Sequence, residues 1–398
     1  MSGASGMIII GAGECGVRAA FALREEGYGG PVTLIGAEPH LPYERPPLSK
    51  GAAAGAQKII AGESRYDEAG ITLRRATRVE RIEANRRQVA LSDGTTHAYD
   101  KLLIATGAQA RRFPGMEAAR TLRSLDDAEA ILAAFRPGAR LAVVGGGFIG
   151  LELAATARER HVDVTVIEAA DRLMARIVPA ALAAMFEARH RAEGVALLLS
   201  ATVASVGEEG VVLADGRHVE ADLVVAGVGA APDTQLAEQA GLAVGDGILV
   251  DHRLQTADAS IFAAGDCCNF PYRGGRVRLE SWRCAQDQGT HAARAMLGAD
   301  EAFSRTPWFW SDQYDLGLQV AGLPDPARPF IRRDLAGGAL ILFQLGDDGA
   351  LLSASGAGPG NAVAKQISIA EKMIQRAVPV SAGQLADTGT NLKSLLKG

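Results

Sequence analysis

Two short glycine-rich segments carry the residues of this chain best suited to cofactor chemistry. The first reads GAGECG at residues 11–16 and the second GGGFIG at residues 145–150, so both have the spacing G-x-G-x-x-G. Each follows an apolar run typical of a β-strand and precedes a helical pattern. There the glycines let the backbone turn tightly and approach a pyrophosphate, which the helix N-terminus stabilises. Two such segments predict two bound dinucleotides, and electron transfer between them is the simplest use of the pair.

An acidic residue after the second strand of each nucleotide-binding unit is expected to accept hydrogen bonds from the adenosine ribose. In the second unit, Glu168 ends the apolar run at residues 164–167. Its carboxylate can accept both ribose hydroxyls of NADH and repels the 2′-phosphate of NADPH. In the first unit, Gly36 directly follows the strand at residues 32–35, so Glu38 is the predicted ribose ligand.

The elements that must position these groups alternate between strand and helix. A strand at residues 7–10, a helix at 14–26 and a strand at 32–35 form one βαβ unit, and residues 141–168 form another. Apolar runs bounded by turn residues predict further strands, at residues 71–91, 99–108, 211–216, 221–227 and 260–263. We expect the third and fourth of these runs to pair as a hairpin. The glycine motifs lie about 135 residues apart, which indicates duplicated nucleotide-binding domains.

Composition narrows the class of protein. At 398 residues the chain is too long for one ordinary core, so two or three domains are expected. The net charge of −5 argues against nucleic acid as a partner. No uncharged apolar run approaches the ~20 residues of a membrane helix, and the N-terminal residues lack the pattern of a targeting signal. The sequence therefore predicts a cytoplasmic protein that does not bind membranes.

Cysteine and histidine usage predicts no metal site. The four cysteines, Cys15, Cys267, Cys268 and Cys284, form no C-x-x-C pair, and the seven histidines show no metal-ligand spacing. The chain has no iron–sulfur ligand set of its own, so a one-electron acceptor must be a separate molecule. From residue 307 onward the pattern becomes aromatic and short-stranded, which indicates a further α+β domain.

Five further motifs, together with the glycine segments, define a resemblance. They are RPPLSK at residues 45–50, ATG at 105–107, AGD at 264–266, ESW at 280–282 and PWFWSDQ at 307–313. In order and spacing the chain resembles the NADH-dependent ferredoxin reductases of bacterial oxygenase systems. That family feeds [2Fe–2S] ferredoxins for cytochromes P450 and Rieske dioxygenases. The resemblance covers nearly the whole chain.

The resemblance implies an α/β protein of the glutathione-reductase type, with two Rossmann-like dinucleotide-binding domains and a C-terminal α+β domain. The expected boundaries are 1–115 and 240–305 for a split FAD-binding domain, 116–239 for the NAD-binding domain and 306–398 for the C-terminal reductase domain. FAD and NADH are the implied cofactors, and a transiently docking [2Fe–2S] ferredoxin is the implied partner. A monomer or weak dimer is expected.

The resemblance also assigns site residues by matching motifs. Those expected to contact FAD are Gly11, Gly13, Cys15, Gly16, Glu38, Arg45, Lys50, Val79, Arg123, Asp266 and Trp282. Those expected to contact NADH are Gly145, Gly147, Ile149, Gly150, Glu168 and Gly229. Lys50 and Glu152 match a catalytic pair by the nicotinamide site, in which Glu152 orients Lys50 near flavin N5. A cation there stabilises reduced, anionic flavin.

The chain departs from the family pattern at three positions, and two alternative functions stay open. Cys15 stands where alanine is usual, Cys284 where asparagine is common and Ala37 where an acid often occurs. The alternatives are a reductase for rubredoxin or another small electron carrier, and an NADH-sensing flavoprotein resembling apoptosis-inducing factor. A disulfide reductase of the same fold needs a reactive cysteine soon after the first glycine motif, and residues 41–62 contain none.

Overall fold

The computed structural model describes residues 5–51 and 57–397, so the predicted domain limits at residues 1 and 398 lie outside the described residues. The strands are β1 Gly6–Ile10, β2 Val32–Ile35, β3 Ile71–Arg74, β4 Val79–Glu83, β5 Gln88–Leu91, β6 Thr96–Ile104, β7 Ala108–Ala110, β8 Arg140–Val144, β9 Asp163–Ile167, β10 Ala196–Leu198, β11 Val203–Gly207, β12 Gly210–Leu213, β13 His218–Glu220, β14 Leu223–Ala226, β15 Ala230–Pro232, β16 Val244–Gly245, β17 Gly247–Leu249, β18 Ile261–Ala263, β19 Cys268–Tyr272, β20 Gly275–Val277, β21 Trp308–Gln313, β22 Leu316–Gly322, β23 Ile331–Asp334, β24 Leu340–Leu345 and β25 Leu351–Pro359. The helices are α1 Glu14–Glu25, α2 Glu63–Glu68, α3 Leu125–Leu132, α4 Phe148–Glu159, α5 Ala180–Ala192, α6 Gln235–Gln239, α7 Trp282–Met296, α8 Ala364–Gln375 and α9 Ala382–Ala386.

The chain divides into two compact units, each made of three stretches. The first unit contains Met1–Glu44, Gln57–Gln109 and Ala230–Arg305. The second contains Arg45–Ala56, Ala110–Gly229 and Thr306–Gly398. The three-domain boundaries given above stay a prediction. Within the described ranges, none of the helices has the length and apolar character that a membrane span requires.

A parallel sheet forms the centre of the first unit. Strands β3, β2, β1 and β6 lie side by side in that order, and β18 pairs with β6. Ile9, Leu34 and Leu103 are fully buried, as expected for parallel strands covered on both faces. Helix α1 packs against α7, where Gly289 permits the approach because a Cβ there would collide with the carbonyl oxygen of Cys15. Strand β5 continues the sheet as the antiparallel partner of β6, and β4 pairs in turn with β5, also antiparallel.

The second unit repeats the parallel plan and adds an antiparallel sheet. Strands β10, β9, β8 and β14 form a parallel sheet in that order. Strands β21, β22, β25, β24 and β23 form an antiparallel sheet, against which the apolar face of α8 packs through Ile367 and Met373. The α/β class with two nucleotide-binding folds and an α+β C-terminal part is confirmed.

One predicted strand pairing is wrong. The run at 211–216 contributes β12, which turns back into β13 with Val211 opposite Val219. The run at 221–227 contributes β14, which instead pairs in parallel with β8. The reason is burial: β14 is apolar and mostly buried, as a parallel-sheet strand must be. Strand β13 is short and largely exposed, so its sequence lacks the apolar run that predicts a buried strand.

Arg333 ties the C-terminal segment to the antiparallel sheet. Its side chain is 3% exposed and lies on β23. Its guanidinium donates to the carbonyl oxygens of four residues, Leu385 at 3.0 Å, Asp387 at 2.8 Å, Thr388 at 3.3 Å and Thr390 at 2.8 Å.

Arg333→Met should lower the free energy of unfolding by roughly 1.5–3 kcal/mol, because it removes the charge-assisted hydrogen bonds that a buried guanidinium donates to four carbonyl groups. Urea denaturation followed by tryptophan fluorescence measures the change. Arg332→Met is the matched control, since Arg332 is exposed and pairs with the exposed Asp334. Equal losses in the two variants would contradict the role given to Arg333.

Candidate functional site

Packing requires glycine at two positions of the first loop. Gly11 follows β1 with φ of +106°, and a Cβ there would collide with the carbonyl oxygen of Ala105. A Cβ on Gly16 would collide in turn with the carbonyl oxygen of Gly11. The chain can therefore make this strand-to-helix turn only with these residues.

The middle of the same loop is open. Among the described residues, no heavy atom outside the loop itself lies within 4 Å of a Cβ built on Gly13. Gly13 is also the N-cap of α1, and no described side chain caps that helix, whereas Ser281 caps α7. The N–H groups of the first turn of α1 thus face open space, which fits a pyrophosphate.

The other first-unit candidates follow the carboxyl ends of parallel strands or begin neighbouring elements. Glu38 lies beyond the end of β2, half-buried, and accepts a hydrogen bond from the Tyr43 hydroxyl at 2.5 Å. Asp266 lies just beyond β18 and is half-buried. Val79 begins β4 and is buried, and Trp282 begins α7. Because β1, β2 and β18 run parallel, Gly11, Glu38 and Asp266 belong to one edge of the sheet.

Glu14 is a site residue that the sequence reasoning missed. Its carboxylate accepts the indole N–H of Trp282 at 3.0 Å and the amide N–H of Gln286 at 2.7 Å. Burial raises the pKa of Glu14, and the nearby Glu44 carboxylate raises it further. An acid at a variable position of the glycine motif was the available signal. Glu14 fixes the orientation of Trp282 beside the first loop.

The second loop repeats the geometry of the first. Gly145 has φ of +104°, and a Cβ there would lie 2.5 Å from the carbonyl oxygen of Gly227. A Cβ on Gly150 would lie 2.5 Å from the carbonyl oxygen of Gly145. A Cβ on Gly147 would meet no heavy atom of the described chain within 4 Å outside the loop. Ile149, in the first turn of α4, is 47% exposed and offers apolar surface beside the opening.

The Glu168 carboxylate is hydrogen-bonded to the backbone of the second glycine loop. Its carboxylate accepts the backbone N–H of Gly146 at 2.6 Å and that of Ala170 at 2.8 Å. A carboxylate has about four acceptor sites, so capacity remains for two ribose hydroxyls. Gly229 follows β14, where a Cβ would lie 3.5 Å from a guanidinium nitrogen of Arg176. Arg176, also missed from the sequence, is an exposed cation suited to an anionic dinucleotide.

Lys50 and Glu152 form an ion pair with buried support. The Lys50 Nζ lies 2.7 Å from Oε1 of Glu152, whose side chain is only 7% exposed. The Ser49 hydroxyl donates to Oε2 at 2.5 Å and the Ser311 hydroxyl donates to Oε1 at 2.7 Å. Lys50 ends a short 3-10 helix that Gly51 terminates with φ of +87°. The two serines are partners that the sequence reasoning did not assign.

Arg45 and Arg123 also lie together in the second unit. The Arg45 guanidinium donates to the carbonyl oxygen of Arg123. The backbone N–H of Arg123 donates to Asp127 at 2.9 Å, within the capping box that begins α3. The structure thus brings together two of the arginines expected at the flavin.

The cysteines are unsuited to thiol chemistry. All four are buried, and burial raises the pKa of Cys267 to about 11 and that of Cys15 and Cys268 well above the ordinary value. Burial likewise raises the pKa of Cys284. A thiol acts as a nucleophile only as the thiolate, so these residues are inert at neutral pH. Across the described chain, no group of three His, Cys, Asp or Glu residues could hold a metal ion.

Similarity to known proteins extends over nearly the whole chain. The pyridine nucleotide-disulphide oxidoreductase family matches residues 5–289, and the reductase C-terminal family matches residues 308–396. The anthranilate 1,2-dioxygenase system ferredoxin–NAD(+) reductase component of Burkholderia cepacia is 42% identical over 404 residues, which cover 98% of each chain.

Two solved structures agree with this result. The ferredoxin reductase for the CYP199A2 system from Rhodopseudomonas palustris matches with a TM-score of 0.92 and 34% identity, over 98% of this chain and 99% of that chain. The covalent putidaredoxin reductase–putidaredoxin complex contains a chain that matches with a TM-score of 0.92 and 33% identity, over 99% of this chain and 98% of that chain.

Glu168→Gln should raise the KM for NADH about tenfold, because the ribose loses one carboxylate acceptor. The same substitution should narrow the preference of the protein for NADH over NADPH. Steady-state oxidation of both nucleotides measures the two KM values. Glu209→Gln, at an exposed turn of the same unit, is the control and should change neither value. An unchanged KM for NADH in Glu168→Gln would refute the ribose assignment.

Proposed function

The chain belongs to the pyridine nucleotide-disulphide oxidoreductase family and ends in a reductase C-terminal domain, and from that premise we propose that it is a ferredoxin–NAD(+) reductase. It passes electrons from NADH through FAD to a [2Fe–2S] ferredoxin, which supplies a cytochrome P450 or a Rieske-type oxygenase. The observation that carries this function is the presence of two dinucleotide loops in a chain whose four cysteines are all buried.

FAD fits the first unit. The open centre of the loop at Gly13 and the uncapped start of α1 among the described residues suit its pyrophosphate. Glu38 accepts from the adenosine ribose and Asp266 from the ribityl chain, since ionised carboxylates act only as acceptors. The backbone at Val79 holds the adenine. Trp282, fixed by Glu14, covers the ring system.

NADH fits the second unit. Gly145, Gly147 and Gly150 shape the loop for its pyrophosphate, while Ile149 offers an apolar contact. Glu168 accepts from the adenosine ribose, and Gly229 leaves room beside Arg176. The carboxylate of Glu168 disfavours the 2′-phosphate of NADPH because the two charges are alike.

The bound flavin supplies the conversion of a two-electron hydride donor into a one-electron source. The role of the protein is to place charge and exclude competing chemistry. Glu152 holds the Lys50 ammonium in one position, and a cation held beside the flavin would stabilise negative charge on it. The resemblance assigns Arg45 and Arg123 to the flavin as well, and their guanidinium groups would add positive charge there. No proton relay is required for hydride transfer itself.

The finer properties stay predictions. A sequence net charge of −5 supports the absence of nucleic acid among the partners. The transient mode of docking, the monomeric or weakly dimeric state, the absence of membrane binding and the cytoplasmic location rest on the sequence reasoning given above.

The direct test is NADH-dependent cytochrome c reduction by the FAD-loaded protein, with and without each member of a panel of [2Fe–2S] ferredoxins and a rubredoxin. At least one ferredoxin should accelerate the reaction about tenfold or more, because the iron–sulfur protein mediates the single-electron steps. Stimulation by rubredoxin alone would favour the alternative carrier. No stimulation by any carrier, with NADH still bleaching the flavin, would contradict the proposal and favour a sensing role.

A further inference from the structure

Behind Glu152 lies a second group of buried polar side chains that no role in the reaction yet explains. Ser311 and Gln313 lie on β21, and His190 lies on α5. Ser311 and His190 are completely buried, and Gln313 is 1% exposed. Polar groups so deeply buried are costly unless each has a hydrogen-bond partner.

These side chains form a continuous chain that ends at the Glu152 carboxylate. The hydroxyl of Ser311 lies 2.7 Å from Oε1 of Glu152, and the amide nitrogen of Gln313 lies 3.1 Å from Oγ of Ser311. The Nε2 of His190 lies 2.9 Å from Oε1 of Gln313. The Tyr314 hydroxyl completes the chain, 3.4 Å from Nδ1 of His190.

The chemistry of each group sets the direction of every bond. An ionised carboxylate only accepts, so the Ser311 hydroxyl must donate to Glu152. Ser311 then accepts from the Gln313 amide, which leaves the Gln313 carbonyl to accept from His190. His190 must therefore carry its proton on Nε2, and its Nδ1 accepts from Tyr314. All four donors point toward the one buried carboxylate.

We propose that Ser311, Gln313 and His190 are positioning residues for the reductase reaction, which hold the Glu152 carboxylate in the orientation that fixes Lys50. The proposal rests on the function given above and extends it from the ion pair to the polar groups behind it. Aligned hydrogen bonds polarise one another in a low-dielectric interior, so the chain strengthens the last bond to Glu152.

The surroundings of His190 favour the neutral form of its imidazole ring. Burial lowers the pKa of His190, whereas the hydrogen bond that His190 donates to Gln313 raises it. The Arg189 cation lowers this pKa further, and Glu193 acts in the opposite sense. A neutral imidazole has one donor and one acceptor nitrogen, which is what Gln313 and Tyr314 require. Protonation of Nδ1 would turn it into a second N–H donor, and it could then no longer accept the hydrogen bond from the Tyr314 hydroxyl.

The connection is tested in the FAD-loaded protein labelled with ¹⁵N-histidine, by long-range ¹H–¹⁵N NMR of the imidazole rings. The His190 signal is assigned by its loss in His190→Gln. It should report the Nε2–H tautomer at pH 7.5, and it should move in Glu152→Gln, because removal of the charge alters every hydrogen bond between these side chains. Ser311→Ala should abolish that response. A Nδ1–H tautomer, or a His190 signal indifferent to Glu152→Gln, would overturn the proposal.

A kinetic test shows whether these hydrogen-bonded side chains affect the rate of the reaction. In stopped-flow mixing with NADH, Ser311→Ala and Gln313→Leu should slow flavin reduction at saturating NADH about tenfold, with little change in the apparent Kd for NADH. Ser353→Ala is the matched control, because Ser353 is equally buried in the same sheet and bonds Gln344 at 2.9 Å, away from Glu152. It should lose similar thermal stability and keep the wild-type rate.

The two tests separate the possible failures. Equal rates in Ser311→Ala and Ser353→Ala would overturn the positioning role, even if the ferredoxin panel supports the reductase function. The opposite failure is also distinguishable. If the His190 signal responds to Glu152→Gln but no ferredoxin stimulates the protein, the hydrogen-bonded series from Tyr314 to Glu152 is retained. The reductase function on which its role rests is then rejected.

Discussion

An ionised carboxylate inside a protein must be surrounded by donors, and Glu152 is such a group. Its donors come from two other stretches of the second unit: Lys50 and Ser49 from the segment after residue 44, and Ser311 from β21. Removing any one of these donors leaves an oxygen of the carboxylate short of a hydrogen-bond partner. The need to compensate this one charge therefore constrains the positions of three parts of the chain. Helix α4, which carries Glu152, also begins at the second glycine loop. The place where NADH is proposed to bind and the charge that orients Lys50 are thus built on one helix.

The two dinucleotide loops meet the same constraint in the same way. At the first glycine of each, φ is near +105°, and a side chain would collide with a backbone carbonyl of the neighbouring strand connection. The acids beyond the second strands differ, however. Glu168 is anchored by the backbone of its own loop, whereas Glu38 is anchored by the Tyr43 hydroxyl. All four cysteines are free, buried and held as protonated thiols, so they offer flavin electrons no disulfide to reduce and supply no thiolate nucleophile.

Sequence reasoning predicted the features that local patterns encode. The strand and helix around Gly11 were predicted to within one residue, because an apolar run, a glycine turn and an amphipathic pattern adjoin there. The partner of β12 was predicted wrongly. Whether β12 pairs with β13 or with β14 depends on which of these two strands the parallel sheet buries. Ser311 lies 159 residues from Glu152 and Trp282 lies 268 residues from Glu14, so neither contact leaves a local signal. Long-range polar partners were missed for that reason.

The central claim is that Lys50 and Glu152 act as one unit in the reduction of bound flavin by NADH. A double-mutant cycle in stopped-flow kinetics tests it most directly, with Lys50→Met, Glu152→Gln and the combined variant. If the account is correct, the combined variant reacts about as fast as the slower single variant, and the coupling energy is on the order of 1–3 kcal/mol. Additive effects, with a coupling energy below about 0.5 kcal/mol, would show that the two residues act independently and contradict the account.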